Sequence, residues 1–256
     1  MFASEKKTAL ITGATVGIGF SFAQLLAGEG YNLVLNARSI DALNDRAREL
    51  RTAFGVEVEI LSADLSTESE KVEEFIRTHQ IDVLVNNAGF GLNQSFTASN
   101  VEDEQRVLDV LVRAPMRLSH AVIPQMKERK SGKIINIASV AGFIAGGHYS
   151  AAKAYINVLS ESLATELAPF GVTVTSICPG FTHTEFHQRA GMKMNKLPNF
   201  LWLDSEFLVK KGWSDVCKGR VISVPGWQYK LLRMVISLAP RSYVRSRSIS
   251  IRSRQR

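Results

Sequence analysis

Thr8-Ala-Leu-Ile-Thr-Gly-Ala-Thr-Val-Gly-Ile-Gly19 joins a short apolar run, Ala9-Leu10-Ile11, to three glycines at Gly13, Gly17 and Gly19. From Phe20 the sequence reads as a helix, Ser21 to Glu29. Strand, tight glycine turn and helix in that order form the context in which a glycine motif carries meaning. Glycine reaches backbone angles closed to other residues and lets a ligand approach the main chain. A helix N-terminus then offers unpaired N–H groups and partial positive charge to a phosphate. An ordinary Gly-rich turn of another α/β protein is the competing reading, since the spacing differs from G-x-G-x-x-G.

Outward from this stretch, strands and helices alternate. Asn32–Ala37, 56–61, 82–85, 133–138 and 172–177 read as strands, 82–85 nearly all apolar as a strand covered on both faces should be. Between them, 41–52, 68–78 and 150–167 read as helices. Residues 101–129 form one long helix, or one bent near Pro115 with a stop near Pro124. This alternation predicts an α/β fold: a doubly wound parallel sheet in three layers, the Rossmann arrangement. Ligands then bind beyond the carboxyl ends of the strands.

The 256 residues suit one domain, expected over 1–240 and followed by a tail, 241–256. Cys178 and Cys217 make no metal or disulfide pattern, which fits a reducing, cytoplasmic setting. Met1 leads straight into the first strand with no signal peptide, and no apolar stretch is long enough to span a bilayer. The formal charge is +7, yet six arginines and no acid lie from Arg241 onward, so the body carries +1 (7 minus 6).

The strand ends carry the chemistry. Asn36-Ala37-Arg38 closes the second strand with an arginine where a carboxylate would select a plain ribose. The guanidinium suits a 2′-phosphate, so NADP (NADPH) is expected over NAD. A solvated arginine paired with Asp41 or Asp45 is the alternative. Asp64, after the third strand, can bond an adenine amino group or cap the helix that starts near Ser66. Asn86-Asn87-Ala88-Gly89 ends the fourth strand, its amides tying strand ends together and its small residues leaving room for a cofactor; an ordinary Asn-Gly turn competes. Ser139 follows the fifth strand. Tyr149 and Lys153 lie four apart at a helix start and so share a face. A phenol titrates at about 10, and a close ammonium lowers that value, so the pair suits general acid–base work.

Taken together these motifs resemble the short-chain dehydrogenase/reductase family. Thr12–Gly19 matches its T-G-x-x-x-G-x-G loop, Asn86–Gly89 its N-N-A-G, and Pro179-Gly180 its P-G. Ser139, Tyr149 and Lys153 fall on its catalytic serine, tyrosine and lysine, and the match spans roughly residues 6 to 185. The resemblance implies Tyr149 as acid/base, Lys153 tuning it and holding the nicotinamide ribose, and Ser139 positioning substrate. It implies cofactor contacts from Gly13, Thr15, Gly17, Ile18, Gly19, Arg38, Asp64, Leu65, Asn87, Ala88, Gly89, Tyr149, Lys153, Pro179, Gly180, Thr182 and Thr184, and a homodimer or homotetramer. No metal ligand is implied. Two departures stand out. Leu111 occupies the place of the family's helix asparagine, whose water relays protons, and an isobutyl group cannot do so. Ser139 and Tyr149 are ten apart where many members have about thirteen. His148, beside the tyrosine, is expected to pack the loop or to touch substrate.

The last quarter holds Trp202, Trp213 and Trp227. A lid is expected over about 182–218, the tryptophans serving either as core or as walls of an apolar cleft. Residues 206–212 and 214–218 read as helical, 220–224 as the last strand. This back third resembles the broadly specific ketoreductases, including 3-ketoacyl and hydroxysteroid enzymes. Residues 229–239 form an amphipathic helix with Leu231, Leu232, Val235, Ile236 and Leu238 on one side, and the Ser/Arg-rich end reads as poorly ordered. Helix and basic run together suit an anionic membrane surface; nucleic acid is disfavoured for want of a recognition fold. The expected function is NADP(H)-dependent interconversion of a hydrophobic ketone and a secondary alcohol. The alternatives are a cofactor-binding protein with weak or no turnover and a membrane-surface scaffold.

Overall fold

Along the first strand, Thr8–Thr12 (β1), alternate side chains enter different cores: Ala9 and Ile11 one, Leu10 the other, all fully buried. That is the signature of a strand covered on both faces. The computed structural model describes residues 6–185, 198–240 and 242–246. Among them β1 is followed by Asn32–Ala37 (β2), Val58–Ser62 (β3), Val83–Asn86 (β4), Gly132–Ile137 (β5), Val172–Ile177 (β6) and Ile222–Ser223 (β7). All pair in parallel, in the order β3-β2-β1-β4-β5-β6-β7. The order reverses between β1 and β4, and the crevice at that switch point is where such sheets bind ligands.

One face of the sheet is covered by Gly17–Gly28 (α1), Ile40–Phe54 (α2) and Ser205–Cys217 (α7). The other is covered mainly by Ser69–Thr78 (α3), Ala114–Glu128 (α5) and the C-terminal part of His148–Leu167 (α6). The expected three-layer Rossmann fold is present. Several boundaries moved. Helix α1 starts at Gly17, directly on the glycine turn, rather than past Phe20. Strand β3 begins at Val58 instead of residue 56, and β7 shrinks to two residues at the sheet edge.

Residues 101–128 form one continuous helical run: Val101–Leu108 (α4), a π-helical stretch Asp109–Arg113, then α5. Pro115 lacks the N–H that an α-helix would aim at the Leu111 carbonyl, and the helix widens into the π form there. No stop occurs at Pro124. Gln125 ties the helix to α3 and to the loop that leads into β4, donating to the Ile76 carbonyl at 2.7 Å and accepting from the Ile81 amide at 2.9 Å, while Met126 is buried. Helix α7 likewise runs unbroken through the gap expected between 206–212 and 214–218; a Cβ on Gly212 would come within 2.6 Å of the Ile177 side chain, so the glycine lets helix and sheet approach.

Candidate active site

Thr12 closes β1 with its hydroxyl accepting the amides of Asn87 (2.9 Å) and Ala88 (3.0 Å). Asn87 returns the contact, its Nδ2 donating to the carbonyls of Thr12 (2.9 Å) and Gly13 (3.1 Å). The Asn-Asn-Ala-Gly segment is thus a tie between β4 and the glycine turn. Its first amide runs the other way: Asn86 Nδ2 donates to Asn136 Oδ1 (2.9 Å) and Ser119 Oγ (3.1 Å), and Asn136 donates to Ser160 on α6 (2.9 Å).

Gly13 and Gly17 have φ of +64° and +56°, the left-handed region that glycine enters without strain. Gly19 answers to packing instead, since a Cβ there would stand 2.3 Å from the Gly13 carbonyl oxygen. Helix α1 therefore sits close on the turn, its first-turn residues Gly17 and Ile18 lining a cleft with Gly13 and Thr15. An N-terminus placed this way fits an anionic group. Across the same gap, Thr184 approaches the Cβ position of Gly17 to 3.0 Å.

At one end of the cleft Arg38 reaches toward Asp64, 4.0 Å away, with its side chain 68% exposed. It pairs with neither Asp41 nor Asp45. Burial pushes the Asp64 carboxyl up, and Ser66 opposes this by donating both its amide (2.9 Å) and its hydroxyl (2.7 Å). With help from the Arg38 and Arg106 charges the group ends below the ordinary carboxylate range. Asp64 lines the cleft and caps the turn at Ser66, while the helix expected to start near Ser66 begins at Ser69.

At the far end Ser139, Tyr149 and Lys153 converge. Ser139 caps a short 3-10 turn, Val140–Phe143, accepting from the Ala141 amide at 3.1 Å, and is hydrogen-bonded to Tyr149. The ten-residue link is thus long enough: the 3-10 turn and Gly147, at φ +92°, fold it back on itself. Lys153 is buried, donating to the Ile137 carbonyl at 2.7 Å, with Nζ 5.8 Å from the Tyr149 ring centre. The expected lowering of the phenol pKa by this ammonium is not found. Burial pushes Tyr149 up to about 12 against the Ser139 hydrogen bond, and burial pulls Lys153 down to about 8. Desolvation penalises whichever form is charged, and here it exceeds the attraction across the pair.

His148 does not line the cleft. Its ring pairs with the buried Glu104 carboxylate of α4 and meets Phe96 edge-on at 5.6 Å, so it packs the loop. Beyond β6, Pro179, Gly180, Thr182 and Thr184 all line the cleft, as do Leu65, Ala88 and Gly89. Gly19 does not line it and acts through packing. Tyr229, from Trp227–Leu238 (α8), packs against Gly180 and accepts from the Phe181 amide at 2.9 Å.

The tryptophans do not line this cleft. Trp213 is core, edge-on to Tyr31; Trp202 stacks on His183 at 4.7 Å; Trp227 is exposed. Of the expected lid, 186–197 lies outside the described residues. The apolar walls come instead from Phe90, Leu92, Val110, Ile144, Phe181 and Leu232. The cleft has a volume of about 1140 Å³, above the roughly 300–1,000 Å³ of a pocket for one drug-sized ligand. Its shape and lining fit an extended dinucleotide with a second, apolar molecule beside Tyr149.

A family profile described as short chain dehydrogenase matches residues 7–195. The chain belongs to the short-chain dehydrogenase family. It is accordingly an oxidoreductase of the Rossmann type. An uncharacterised oxidoreductase of Staphylococcus saprophyticus is 37% identical over 187 residues, covering 70% of this chain and 80% of that protein. Among solved structures, a short-chain dehydrogenase from Sphingobium yanoikuyae in complex with NADPH is 33% identical with a TM-score of 0.83, covering 91% of this chain and 96% of that one. The bulky-bulky ketone specific alcohol dehydrogenase of Comamonas testosteroni is 30% identical with a TM-score of 0.79, covering 93% and 96%.

As a short-chain dehydrogenase the chain keeps an unusual Leu111. It is 1% exposed, lies within the π stretch, and packs with Val107, Ala152 and Tyr149; its methyl stands 2.8 Å from where a Gly89 Cβ would be. Sequence reasoning missed Phe90, Leu92 and Asn93 as cleft residues, although two apolar side chains directly after Asn-Asn-Ala-Gly were a usable signal. It also missed Arg106, Tyr229 and Leu232, which reach the cleft only through the packing of α4 and α8.

Proposed function

We propose that this short-chain dehydrogenase uses NADPH to reduce bulky, hydrophobic ketones to secondary alcohols, with Tyr149 as the general acid. The observation that carries the reading is the convergence of Ser139, Tyr149 and Lys153 at one end of the cleft, the phenol held protonated by burial. A protonated phenol is the form that can give its proton to a carbonyl oxygen. The solved relatives support the ligands, one holding NADPH and another acting on bulky-bulky ketones.

Bound in the cleft, NADPH would supply the hydride. Gly13, Thr15, Gly17 and Ile18 would hold its pyrophosphate, and Arg38 the 2′-phosphate, where no carboxylate of β2 competes. Asp64 and Leu65 would flank the adenine. Asn87, Ala88, Gly89, Pro179, Gly180, Thr182 and Thr184 would enclose the nicotinamide end. Ser139 orients the carbonyl oxygen and Tyr149 Oη protonates it as negative charge develops. Lys153 places a positive charge within reach of the phenolate left behind, strongest where water is excluded. Phe90, Leu92 and Leu232 shape an apolar site for the rest of the substrate.

Leu111 favours one competing reading, a cofactor-binding protein with little turnover, because its side chain can neither hold nor pass a proton. Fluorescence titration with NADPH and NADH, followed by loss of NADPH absorbance with a panel of bulky ketones, separates the two. The proposal expects tighter binding of NADPH and measurable turnover. Tyr149→Phe should lower kcat by about 10²–10⁴-fold and leave NADPH affinity in place. Turnover that survives this change removes Tyr149 from its role, and binding without turnover across the panel favours the competing reading.

A further inference from the structure

Helix α8 presents its apolar stripe outward. Trp227, Leu231, Met234, Val235 and Leu238 follow the i, i+4, i+7, i+8, i+11 spacing of one helix face and are 72%, 49%, 54%, 52% and 81% exposed. The inward side is held by other groups: Tyr229 is buried on Gly180, and the Arg233 guanidinium lies 5.2 Å from the centre of the Phe143 ring. This differs from the face read from sequence, which grouped Leu232 and Ile236 with the stripe. A helix of a water-soluble protein ordinarily turns such a stripe toward its core, and a contiguous exposed apolar patch marks an interaction surface.

The charge in this part of the sequence selects the partner. After Asp215 the sequence contains no aspartate or glutamate, while Lys218, Arg220, Lys230, Arg233 and the six arginines from Arg241 onward are all basic. A two-fold contact between copies of this chain would set the same patch against itself, bringing like charges together as it buried the apolar side chains. An anionic bilayer satisfies both features at once. The apolar side chains enter the headgroup–acyl boundary and the cations meet lipid phosphates.

We propose that α8 is a surface anchor that seats the protein on anionic lipid. This goes beyond the catalytic reading and does not require it. If that reading holds, the anchor has a consequence for substrate. Tyr229 and Leu232 of the same helix line the cleft, so docking would bring the cleft's edge to the bilayer, where a hydrophobic ketone concentrates.

The test is co-sedimentation of the full chain with vesicles of phosphatidylcholine alone and of phosphatidylcholine with phosphatidylglycerol. The comparison protein is Leu231→Gln/Val235→Gln/Leu238→Gln, whose changes are exposed and lie outside the cleft. NADPH binding by fluorescence reports that this variant is folded, and light scattering gives the mass of both proteins. The wild type should pellet with the anionic vesicles, far less with the neutral ones, and progressively less as salt rises. The variant should lose at least about tenfold in partitioning while keeping its mass. Equal pelleting of variant and wild type would overturn the anchor, leaving charge alone. So would no pelleting of wild type with anionic vesicles, equal pelleting with both lipids, or a wild-type dimer that the variant breaks.

Discussion

Tyr149 and Lys153 stand one helical turn apart, yet burial rather than their mutual attraction sets how each titrates. The phenol rises to about 12 and stays protonated through the neutral range, while the ammonium falls to about 8. For Lys153 the charged form is present below about 8 and is lost as the pH rises through it. Ketone reduction that depends on this charge should be level near neutrality and decline through about pH 8. A kcat profile that rises across that window would count against the role given to Lys153. The sequence announced the pair by its i, i+4 spacing but gave the wrong direction for the tyrosine, because a spacing reports proximity and says nothing of solvent access. His148 shows the same limit: its partner, Glu104, is 44 residues away in sequence.

The glycine turn and α1 act as one element, and they were the most legible part of the chain. Each glycine has a distinct physical requirement, two in backbone angle and one in contact distance. Gly19→Ala puts a methyl against a carbonyl oxygen and the Asn87 amide, neither of which can move without loosening the turn from β4. Overpacking of this kind costs about 1–3 kcal/mol. Thermal unfolding should show that loss, and fluorescence titration should show NADPH affinity falling in the same protein. Stability unchanged from wild type would mean the helix has more freedom than the packing indicates. Apparent breaks elsewhere misled. Pro124 and the gap between 206–212 and 214–218 read as interruptions, but each lies inside a helix whose tertiary anchors, Gln125 on α3 and Ile177 beneath α7, outweigh local propensity. Pro115 did signal a disturbance, which emerged as a π stretch rather than a bend.

Across the whole molecule, a buried polar line joins the sheet to the helix that bears Tyr149 and Lys153. Asn86 on β4 donates to Asn136 on β5, and Asn136 to Ser160 on α6. Asn136→Ala would remove an acceptor from one and a donor from the other. Leaving such buried groups unpaired costs about 1–3 kcal/mol. Urea unfolding should register that loss with NADPH affinity nearly intact, since Asn136 does not line the cleft. An unchanged midpoint would mean that the partners find other hydrogen bonds.

Period-two and 3.6-residue patterning, punctuated by glycine turns, was enough to determine the parallel α/β sheet and the motifs at its strand ends. These follow from local chemistry: which residues extend, which coil and which turn. Tertiary structure alone decided which side chains wall the cleft, that Arg38 faces Asp64, that the phenol is held protonated, and that α8 turns its apolar stripe outward. Each depends on what lies opposite a residue across the fold. Desolvation and packing are set by neighbours distant in sequence, and no local pattern encodes them.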